Sequence, residues 1–542
     1  MLSTYVSKFP DGYQPSDAQV DILTRIEEAY NEGYKFVIIS APTGTGKSFI
    51  PRTLGNLSQP PTEAFTNLVR SYKAFYPDGN GGYQYADDCL AEPPCGTIAL
   101  TITKQLQDQY KSIFNDIDIL KGKSNYICAI SDEFDVESAP CTYTSKLKTD
   151  CWNKNCCVYY NTRNDALLNQ FSVLNYKMFL HLPDHLKRKN FIICDEASEL
   201  EDELVRQFSA SINYKKISLA GIQTPKLKTT DYYKQYNWLS ELLISVTDKV
   251  NDLLELGKNK TVKMSAADIA KLKFLRNLQG NLQIVGDKWF NCEYIVDYDA
   301  EHVSFTPLKV DKLSGSIFSY GDKVLLMSAT ITDHKAYAKT LGISKYKYIE
   351  VESSFESEKS PIYMMKQPVL NYKNLKANLP KIADYCQQLC DRHANEKGII
   401  HTHTLEICRY LQDNLKGHRF LFREEAATNE RILEEHFESD EPTVLVSPSL
   451  TFGTDLHGDN GRFQIICKTP FPPLSNKRIK KMADISPEWY QHKTLSAFIQ
   501  TSGRCTRSKT DHSVTYVLDG RARVLLLQNK EKLPKHFIGR LR

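Results

Sequence analysis

The segment Phe36-Val-Ile-Ile-Ser-Ala-Pro-Thr-Gly-Thr-Gly-Lys-Ser48 joins a short apolar run to a glycine-rich loop. The run Phe36–Ile39 has the length and the β-branched content of a buried strand. The loop fits the phosphate-binding pattern, with Ala41 in the place of its first glycine, and it has the strand before it and the helical pattern after it that this motif requires. The segment therefore predicts a nucleotide site on an α/β domain.

Each position of the loop has an expected task. Gly44 and Gly46 allow the backbone to turn its amides toward the phosphates, Lys47 pairs with the β and γ oxygens, and Ser48 supplies a hydroxyl to Mg²⁺. The positive end of the following helix adds to the attraction. The residues expected to bind the nucleotide here are Thr43, Gly44, Thr45, Gly46, Lys47 and Ser48.

Apolar runs of strand length recur along the chain and alternate with helical patterns, which is typical of parallel α/β units. A chain of 542 residues is too long for one hydrophobic core, so we expect two α/β domains with a boundary between residues 353 and 372. The runs are Phe36–Ile39, Thr97–Leu100, Phe191–Cys194 and Val324–Met327 in the first half, and Gly398–Ile400, Thr443–Val446, Phe463–Cys467 and Val514–Leu518 in the second.

The pattern changes between residues 201 and 307. Apolar side chains recur there at helical spacing, from Leu239 to Leu254 and from Ile269 to Leu282. Ser265 with Asp268 is a capping pair for the second of these helices. We expect a mostly helical insertion in the first α/β domain.

The composition is that of an ordinary globular protein, with 41% hydrophobic residues, 25% charged residues and a net charge of +4. This charge permits a nucleic-acid partner without indicating one. No apolar stretch reaches membrane-spanning length, and residues 1–14 lack the apolar core of a signal peptide. We expect a cytoplasmic protein of a bacterial or phage-infected cell, or a nuclear one in a eukaryote, with no membrane partner.

Two further segments suggest nucleotide hydrolysis. Asp195-Glu196 ends an apolar run, so that Asp195 would hold Mg²⁺ through its water shell and Glu196 would polarise the attacking water. A capping acid pair at a helix start is the alternative.

The segment from Gln500 to Arg507 carries Arg504 and Arg507 on one helical face, where both could reach the γ-phosphate. Arginines at this spacing more often form surface ion pairs, so the catalytic interpretation of this segment depends on the phosphate loop and the acid pair.

Five of the 14 cysteines lie close together in the sequence. In an intracellular protein, clustered thiols indicate metal binding rather than disulfides. An iron–sulfur cluster and a zinc ion both accept four thiolates, and zinc ranks second because two short paired knuckles are lacking. Unligated thiols are the least favoured interpretation. The five are Cys128, Cys141, Cys151, Cys156 and Cys157.

In their order along the chain, these segments resemble superfamily 2 helicases of the XPD/DinG family over nearly the whole length. The assignment depends on order and completeness, because each piece is short. Besides the loop and Asp195-Glu-Ala-Ser198, the similar stretches are Thr101–Gln109, Lys121–Cys128, Val173–Tyr176, Ser328–Thr330, Ser353–Phe355, Pro361-Ile362, Gly398–Thr404, Ser447–Asp455, Lys468–Pro473 and Gln500–Arg507.

The resemblance implies two RecA-like parallel-sheet motor domains, the first interrupted by an iron–sulfur cluster domain and a mostly helical, Arch-like insertion. The implied bounds are 1–120, 160–200 and 308–355 for the first motor, 121–159 for the cluster domain, 201–307 for the insertion and 356–542 for the second motor.

The resemblance also implies an ATP-dependent DNA helicase, stimulated by DNA and moving 5′ to 3′ on single strands, with ATP, Mg²⁺ and a [4Fe–4S] cluster. Its partners would be single-stranded and tailed duplex DNA in repair or replication. The implied catalytic residues are Lys47, Asp195, Glu196, Gln500, Arg504 and Arg507. Nucleotide binding would also involve Gln19, near the adenine, and Asp455. The DNA would be contacted by Thr101, Thr103, Gln105, Thr404 and Thr451, and the cluster would be held by Cys128, Cys141, Cys151 and Cys157, with Cys156 as the alternative to Cys157.

Two departures from the family pattern affect these expectations. Ser198 stands where many relatives have histidine; its hydroxyl can still bond toward Ser328-Ala-Thr330, but it carries no charge. Residues 62–95, with Cys89 and Cys95, form an insertion that we expect to be an exposed loop. An RNA helicase or ribonucleoprotein remodeller and an ATP-switched DNA clamp in a larger assembly stay open as alternatives.

Overall fold

The structure is a computed structural model that describes residues 3–42, 44–71, 75, 93–258, 264–352, 356–422, 429–448, 456, 458–506 and 511–542. Several residues predicted above lie outside this range, namely Thr43, Cys89, Ser353–Phe355, Thr451, Asp455 and Arg507.

The first motor is built on a seven-stranded parallel sheet. Its central strands are continuous apolar runs because helices cover both faces. The strands are β1 (Phe36–Ser40), β2 (Thr97–Thr101), β3 (Asp118–Leu120), β4 (Phe171–Asn175), β5 (Lys189–Cys194), β9 (Gly321–Ser328) and β10 (Tyr346–Glu350), in the spatial order β10-β1-β9-β5-β2-β4-β3.

The register of this sheet positions the functional loops. Ser40 pairs with Ser328, and Leu100 pairs with Cys194, so the carboxyl ends of β1, β9, β5 and β2 meet at one edge. The loops that follow these strands therefore lie side by side, at the place where parallel α/β sheets bind ligands.

The second motor has a six-stranded parallel sheet. Both sheets thus confirm the predicted α/β class. The strands are β11 (Ile362–Met364), β12 (Gly398–His401), β13 (Phe420–Phe422), β14 (Val444–Ser447), β15 (Phe463–Ile466) and β16 (Val514–Val517), in the spatial order β11-β16-β15-β12-β14-β13.

The insertion is a separate small core of two long helices on a three-stranded antiparallel sheet. The apolar stripes predicted from the sequence pack there, and the amide of Asp268 donates to the Ser265 hydroxyl at 3.1 Å, as the capping pair predicted. The sheet, which the helical pattern did not indicate, consists of β6 (Ala210–Asn213), β7 (Tyr294–Tyr298) and β8 (His302–Pro307).

Twenty helices of four residues or more fall within the described residues. They are α1 (Asp17–Asn31), α2 (Phe49–Leu57), α3 (Glu63–Arg70), α4 (Lys104–Ile113), α5 (Ser145–Asn153), α6 (Val158–Leu168), α7 (Tyr176–Leu180), α8 (Leu200–Gln207), α9 (Tyr214–Leu219), α10 (Tyr232–Lys258), α11 (Ala266–Lys288), α12 (Gly315–Phe318), α13 (His334–Thr340), α14 (Leu375–Arg392), α15 (Leu405–Asn414), α16 (Asn429–Glu438), α17 (Lys477–Ile485), α18 (Pro487–Ser502), α19 (Gly520–Gln528) and α20 (Lys535–Ile538).

The start of the 62–95 insertion is helical, which differs from the exposed loop predicted for it. Thr62 caps α3 by accepting from the amide of Phe65, and Phe65, Leu68 and Val69 bury one face of the helix. The apolar spacing i, i+3, i+4 outweighs the loop-like composition further on. No helix in the described part of the chain has both the length and the apolar character needed to cross a membrane.

Candidate functional site

The phosphate loop lies between β1 and α2 at the carboxyl edge of the first sheet. Gly44 and Gly46 have φ values of 78° and 70°, in the left-handed region that favours glycine, as the motif predicted. Lys47 Nζ donates to the carbonyls of Ala41 and Pro42, both at 3.1 Å, so the side chain folds back across its own loop. The ammonium group is thus held against the loop that the motif predicts to bind phosphates.

Gln19 is buried against this loop. Its Nε2 donates to the carbonyl of Gly46 at 3.1 Å, and its Oε1 accepts from the amide of Ser16 in the capping box of α1. A Cβ at Gly46 would collide with the Gln19 amide. Gln19 thus supports the shape of the loop, and its contact with adenine stays a prediction.

The acid pair follows β5 at the same edge, and a tyrosine connects it to the loop. Tyr110, on α4, donates its hydroxyl to Asp195 Oδ2 at 2.9 Å and is also hydrogen-bonded with Ser48. The two side chains expected to hold Mg²⁺ therefore converge on one phenol. Tyr110 directly follows the similar stretch Thr101–Gln109 and was not among the predicted site residues, because no local pattern in the sequence indicates this role.

Burial raises the pKa of Asp195 to about 6, and the neighbouring Glu196 adds to the rise, while Lys47 and Tyr110 oppose it. A buried carboxylate of this kind favours a cation beside it. The donor set of one hydroxyl and one carboxylate is that of a magnesium site completed by phosphate oxygens and water.

Glu196 has a left-handed backbone, with a φ of 49°, and begins the short turn Ala197–Glu199. Non-glycine residues in this region are strained and occur often at functional sites. Ser198, in the middle of this turn, accepts a hydrogen bond from the Ser328 hydroxyl at 2.9 Å. The expected serine link between the acid box and Ser328-Ala-Thr330 is thus present.

Gln500 and Arg504 lie on the second motor, at and just after the end of α18. Gln500 lines a cavity of about 560 Å³, whose opposite wall includes Ser198 and Glu199 of the first motor. The positive charge of Arg504 contributes to lowering the pKa of His403, which lines the same cavity. The described members of the predicted catalytic set therefore come from both motors, and of them Gln500 lines the cavity between the motors.

The predicted nucleic-acid contacts fall at the starts of two helices. Thr103 and Thr404 cap α4 and α15 by accepting from the amides of Leu106 and Ile407. Gln105 is exposed in the first turn of α4. Thr101 is completely buried, so its side chain is not accessible to a strand in this conformation.

The thiols of Cys128, Cys141, Cys151 and Cys157 are buried. Burial raises the pKa of Cys141, and the nearby thiols of Cys128 and Cys157 raise it further. Cys156 is only half-buried, and its sulfur lies 3.6 Å from the carbonyl of Cys151. Among the described residues, no three His, Cys, Asp or Glu side chains are close enough to hold one metal ion.

Basic side chains surround these thiols. The pKa of Lys148 is lowered to about 8, first by burial and then by the charges of Lys123 and Arg276. Arg276 lies on α11 of the insertion, and Lys273 of the same helix pairs with Glu137 at 2.9 Å. The insertion thus packs on the cysteine segment, and a negatively charged group among the thiols would offset the repulsion between the buried cations.

Comparisons with known proteins agree with this architecture. Residues 396–538 match the family model of the helicase C-terminal domain, whereas no curated protein matches the chain. A solved structure of an XPD helicase has a TM-score of 0.62 at 16% identity and covers 95% of this chain and 98% of its own. Apo XPD (14% identity) and Xpd4 of S. tokodaii (13% identity) each have a TM-score of 0.54, covering 93% of this chain and 96% of theirs. At such identities the likeness shows the fold, and it confirms two RecA-like motors.

Proposed function

We propose that this chain, which has the fold of the XPD helicases and fits the XPD/DinG family, is an ATP-driven helicase that moves 5′ to 3′ on single-stranded DNA and unwinds tailed duplexes. The observation that carries the proposal is the cleft described above. The turn that follows the acid pair of the first motor, with Ser198 and Glu199, lines this cleft together with Gln500 of the second motor, and Tyr110 links the acid pair to the phosphate loop. We therefore expect nucleotide binding and motor closure to be one event.

In the proposed mechanism, Lys47 and the loop amides bind the phosphates, and Ser48 with Asp195 would hold Mg²⁺, which neutralises charge on the β and γ oxygens. Tyr110 keeps the Ser48 hydroxyl and the Asp195 carboxyl oriented toward each other. Glu196 orients and polarises the attacking water. Arg504, with Arg507 of the same motif, stabilises the charge that develops on the γ-phosphate when the motors close.

Strand binding is proposed for the helix starts at the same edge of the two sheets. Thr103 and Gln105 of the first motor and Thr404 of the second would contact phosphates, as would Thr451, which lies outside the described residues. Such contacts read the backbone rather than the sequence, so affinity should fall as salt rises. DNA rather than RNA as the preferred strand, and the 5′-to-3′ direction, rest on the family resemblance.

We propose that residues 121–159 form a cluster domain in which Cys128, Cys141, Cys151 and Cys157 hold a [4Fe–4S] cluster. Four bonds between cysteine thiolates and cluster irons would close this segment into a rigid unit. Two observations support the assignment: the four thiols are buried near one another, and cations surround them. The burial of Cys157 favours it over Cys156.

Strand displacement on matched duplexes with a 5′ or a 3′ tail tests the proposal. Wild type should displace the strand from the 5′-tailed duplex alone. Lys47→Ala should lose this activity, whereas Lys345→Ala, an exposed lysine just before β10 at the opposite edge of the sheet, should keep it. Unwinding from the 3′ tail alone would refute the polarity.

The same preparation separates the alternatives. DNA-stimulated hydrolysis without displacement would indicate an ATP-switched clamp. Stronger stimulation by RNA than by DNA of the same length would indicate an RNA helicase or a ribonucleoprotein remodeller.

A further inference from the structure

A histidine in the cleft between the motors has a buried nitrogen that no described residue uses. His403 lies two residues after β12 and lines the same cavity as Ser198, Glu199 and Gln500. Its Nε2 is buried, and within the described part of the chain it has no hydrogen-bond partner. Buried polar atoms are nearly always bonded, so such an atom calls for an explanation.

The backbone of His403 is strained as well. Its φ of 55° is in the left-handed region, which only two other non-glycine residues adopt within the described chain, Asn155 and Glu196. Strain of this kind persists where the surrounding structure enforces it, and it occurs often at sites that change state.

The opposite wall of the cavity offers a partner. Glu199 is half-buried, and its burial, together with the charges of Asp202 and Glu196, raises its pKa to about 7, although Lys493 opposes the rise. Glu199 closes the short turn Ala197–Glu199, which begins directly after Glu196. A force on Glu199 would therefore act on the backbone that orients the water-polarising carboxylate.

We propose that His403 is a positioning residue: when the motors close on ATP, its Nε2 forms a hydrogen bond with the Glu199 carboxyl, and this bond fixes the turn that orients Glu196. One proton between the two groups suffices, because either the imidazole donates to a carboxylate or the carboxylic acid donates to Nε2. The inference rests on the proposed function only in that it requires ATP hydrolysis between closing motors.

The electrostatics of His403 favour this role over direct binding of a nucleic-acid phosphate. Burial, Arg504 and Lys468 lower the pKa of His403 to about 4, so the ring is neutral at physiological pH. A neutral ring adds little to phosphate affinity beside the permanent charge of Lys468, but it is a good partner for a carboxyl group.

The test is the steady-state ATPase of the full-length chain with saturating single-stranded DNA, comparing His403→Asn, Glu199→Gln and the double variant. Asparagine tolerates the left-handed backbone but is too short to span the cleft. We expect kcat to fall about tenfold in each single variant with KM for ATP changed less than about twofold, because a contact made only on closure acts on the transition state. The double variant should be no slower than either single one.

His403→Gly keeps the test valid if folding is affected. It relieves the backbone strain, so its thermal midpoint should equal or exceed that of wild type while kcat falls as in the asparagine variant. Multiplying losses in the double variant would overturn the proposal, as would weaker DNA binding without nucleotide at unchanged kcat, which would make His403 a nucleic-acid contact. A wild type that hydrolyses ATP but unwinds nothing would refute the proposed function and leave this comparison intact.

Discussion

A buried ion pair joins the second motor to the base of the insertion, and its removal should be costly. Arg478, on α17, pairs with Glu201 of α8 at 2.6 Å, with side-chain exposures of only 6% and 5%. The Arg478 Nε also donates to the carbonyl of Pro307 at 2.9 Å, so one guanidinium binds both ends of the inserted chain. Trp489 donates its Nε1–H to the same Glu201 carboxylate at 2.9 Å.

We predict that Arg478→Met lowers the stability of this unit by about 3 kcal/mol, because it leaves the Glu201 charge buried with fewer partners. The value lies at the low end of the usual range since Trp489 stays in place and Lys493 lies 3.7 Å from the same carboxylate. In a cooperative unit of 150–250 residues, this loss corresponds to roughly 6–12 °C in the midpoint of thermal unfolding.

The matched control is on the same helix. Lys481 of α17 pairs with Glu293, and the two side chains are 46% and 57% exposed. Lys481→Met should therefore cost no more than about 1 kcal/mol, or less than about 4 °C. Arg478→Met combined with Glu201→Gln should melt above Arg478→Met alone, because the buried Glu201 charge is then removed while Lys493 keeps Asp202 as its partner at 2.6 Å. Equal midpoints for Arg478→Met and Lys481→Met would refute the reasoning.

Three further predictions concern the site, the interface between the motors and the cysteine segment. Tyr110→Phe should lower apparent affinity for Mg²⁺–ATP on the order of tenfold, because Asp195 loses a donor, and Tyr13→Phe, whose hydroxyl binds an exposed carbonyl at 3.0 Å, should not. Burial is the main cause that lowers the pKa of His492 to about 4, and the neutral ring accepts a hydrogen bond from Thr332 at 2.8 Å. The stability that depends on keeping this ring neutral is complete above pH 6.5 and decreases toward pH 4, by about 2 kcal/mol at pH 5. His492→Asn should therefore flatten the pH dependence of the unfolding midpoint. Cys151→Ser should abolish strand displacement and retain part of the ATPase activity; full retention of both would contradict the structural role of the cluster.

The sequence predicted those parts of the molecule whose chemistry is local. The loop from Ala41 to Ser48 needs glycines at two left-handed positions and a lysine after them, and these are readable one residue at a time. Eight strands were readable because parallel strands buried on both faces are continuous apolar runs, whereas β3, β4, β10, β11 and β13 were not predicted as strands. The Ser265 cap was readable because its partner is three residues away.

The contacts missed by the sequence analysis join residues that are distant in the chain. Tyr110 meets Asp195 across 85 positions, and Arg478 meets Glu201 across 277. No local pattern distinguishes a tyrosine that bonds a distant carboxylate, such as Asp195, from one that packs in a core. The left-handed backbone of Glu196 and His403 was equally hidden, because tertiary contacts rather than residue type impose it.

Helix α18 connects these distant contacts to the nucleotide. His492 and Trp489, in its first half, bind the first motor and the base of the insertion, and Gln500 lies about 12 Å further along the axis, facing the cleft. A nucleotide that moves Gln500 must either break the buried contacts at the other end or carry them along. Breaking the Glu201 network would cost about 3–5 kcal/mol, whereas rotation of α18 together with α8 and the insertion keeps this network and gives up the weaker hydrogen bond between His492 and Thr332. We therefore expect the insertion to move with the second motor in each cycle of ATP binding and hydrolysis. The cysteine segment packs against the insertion, so it would bear a force that recurs once in each cycle.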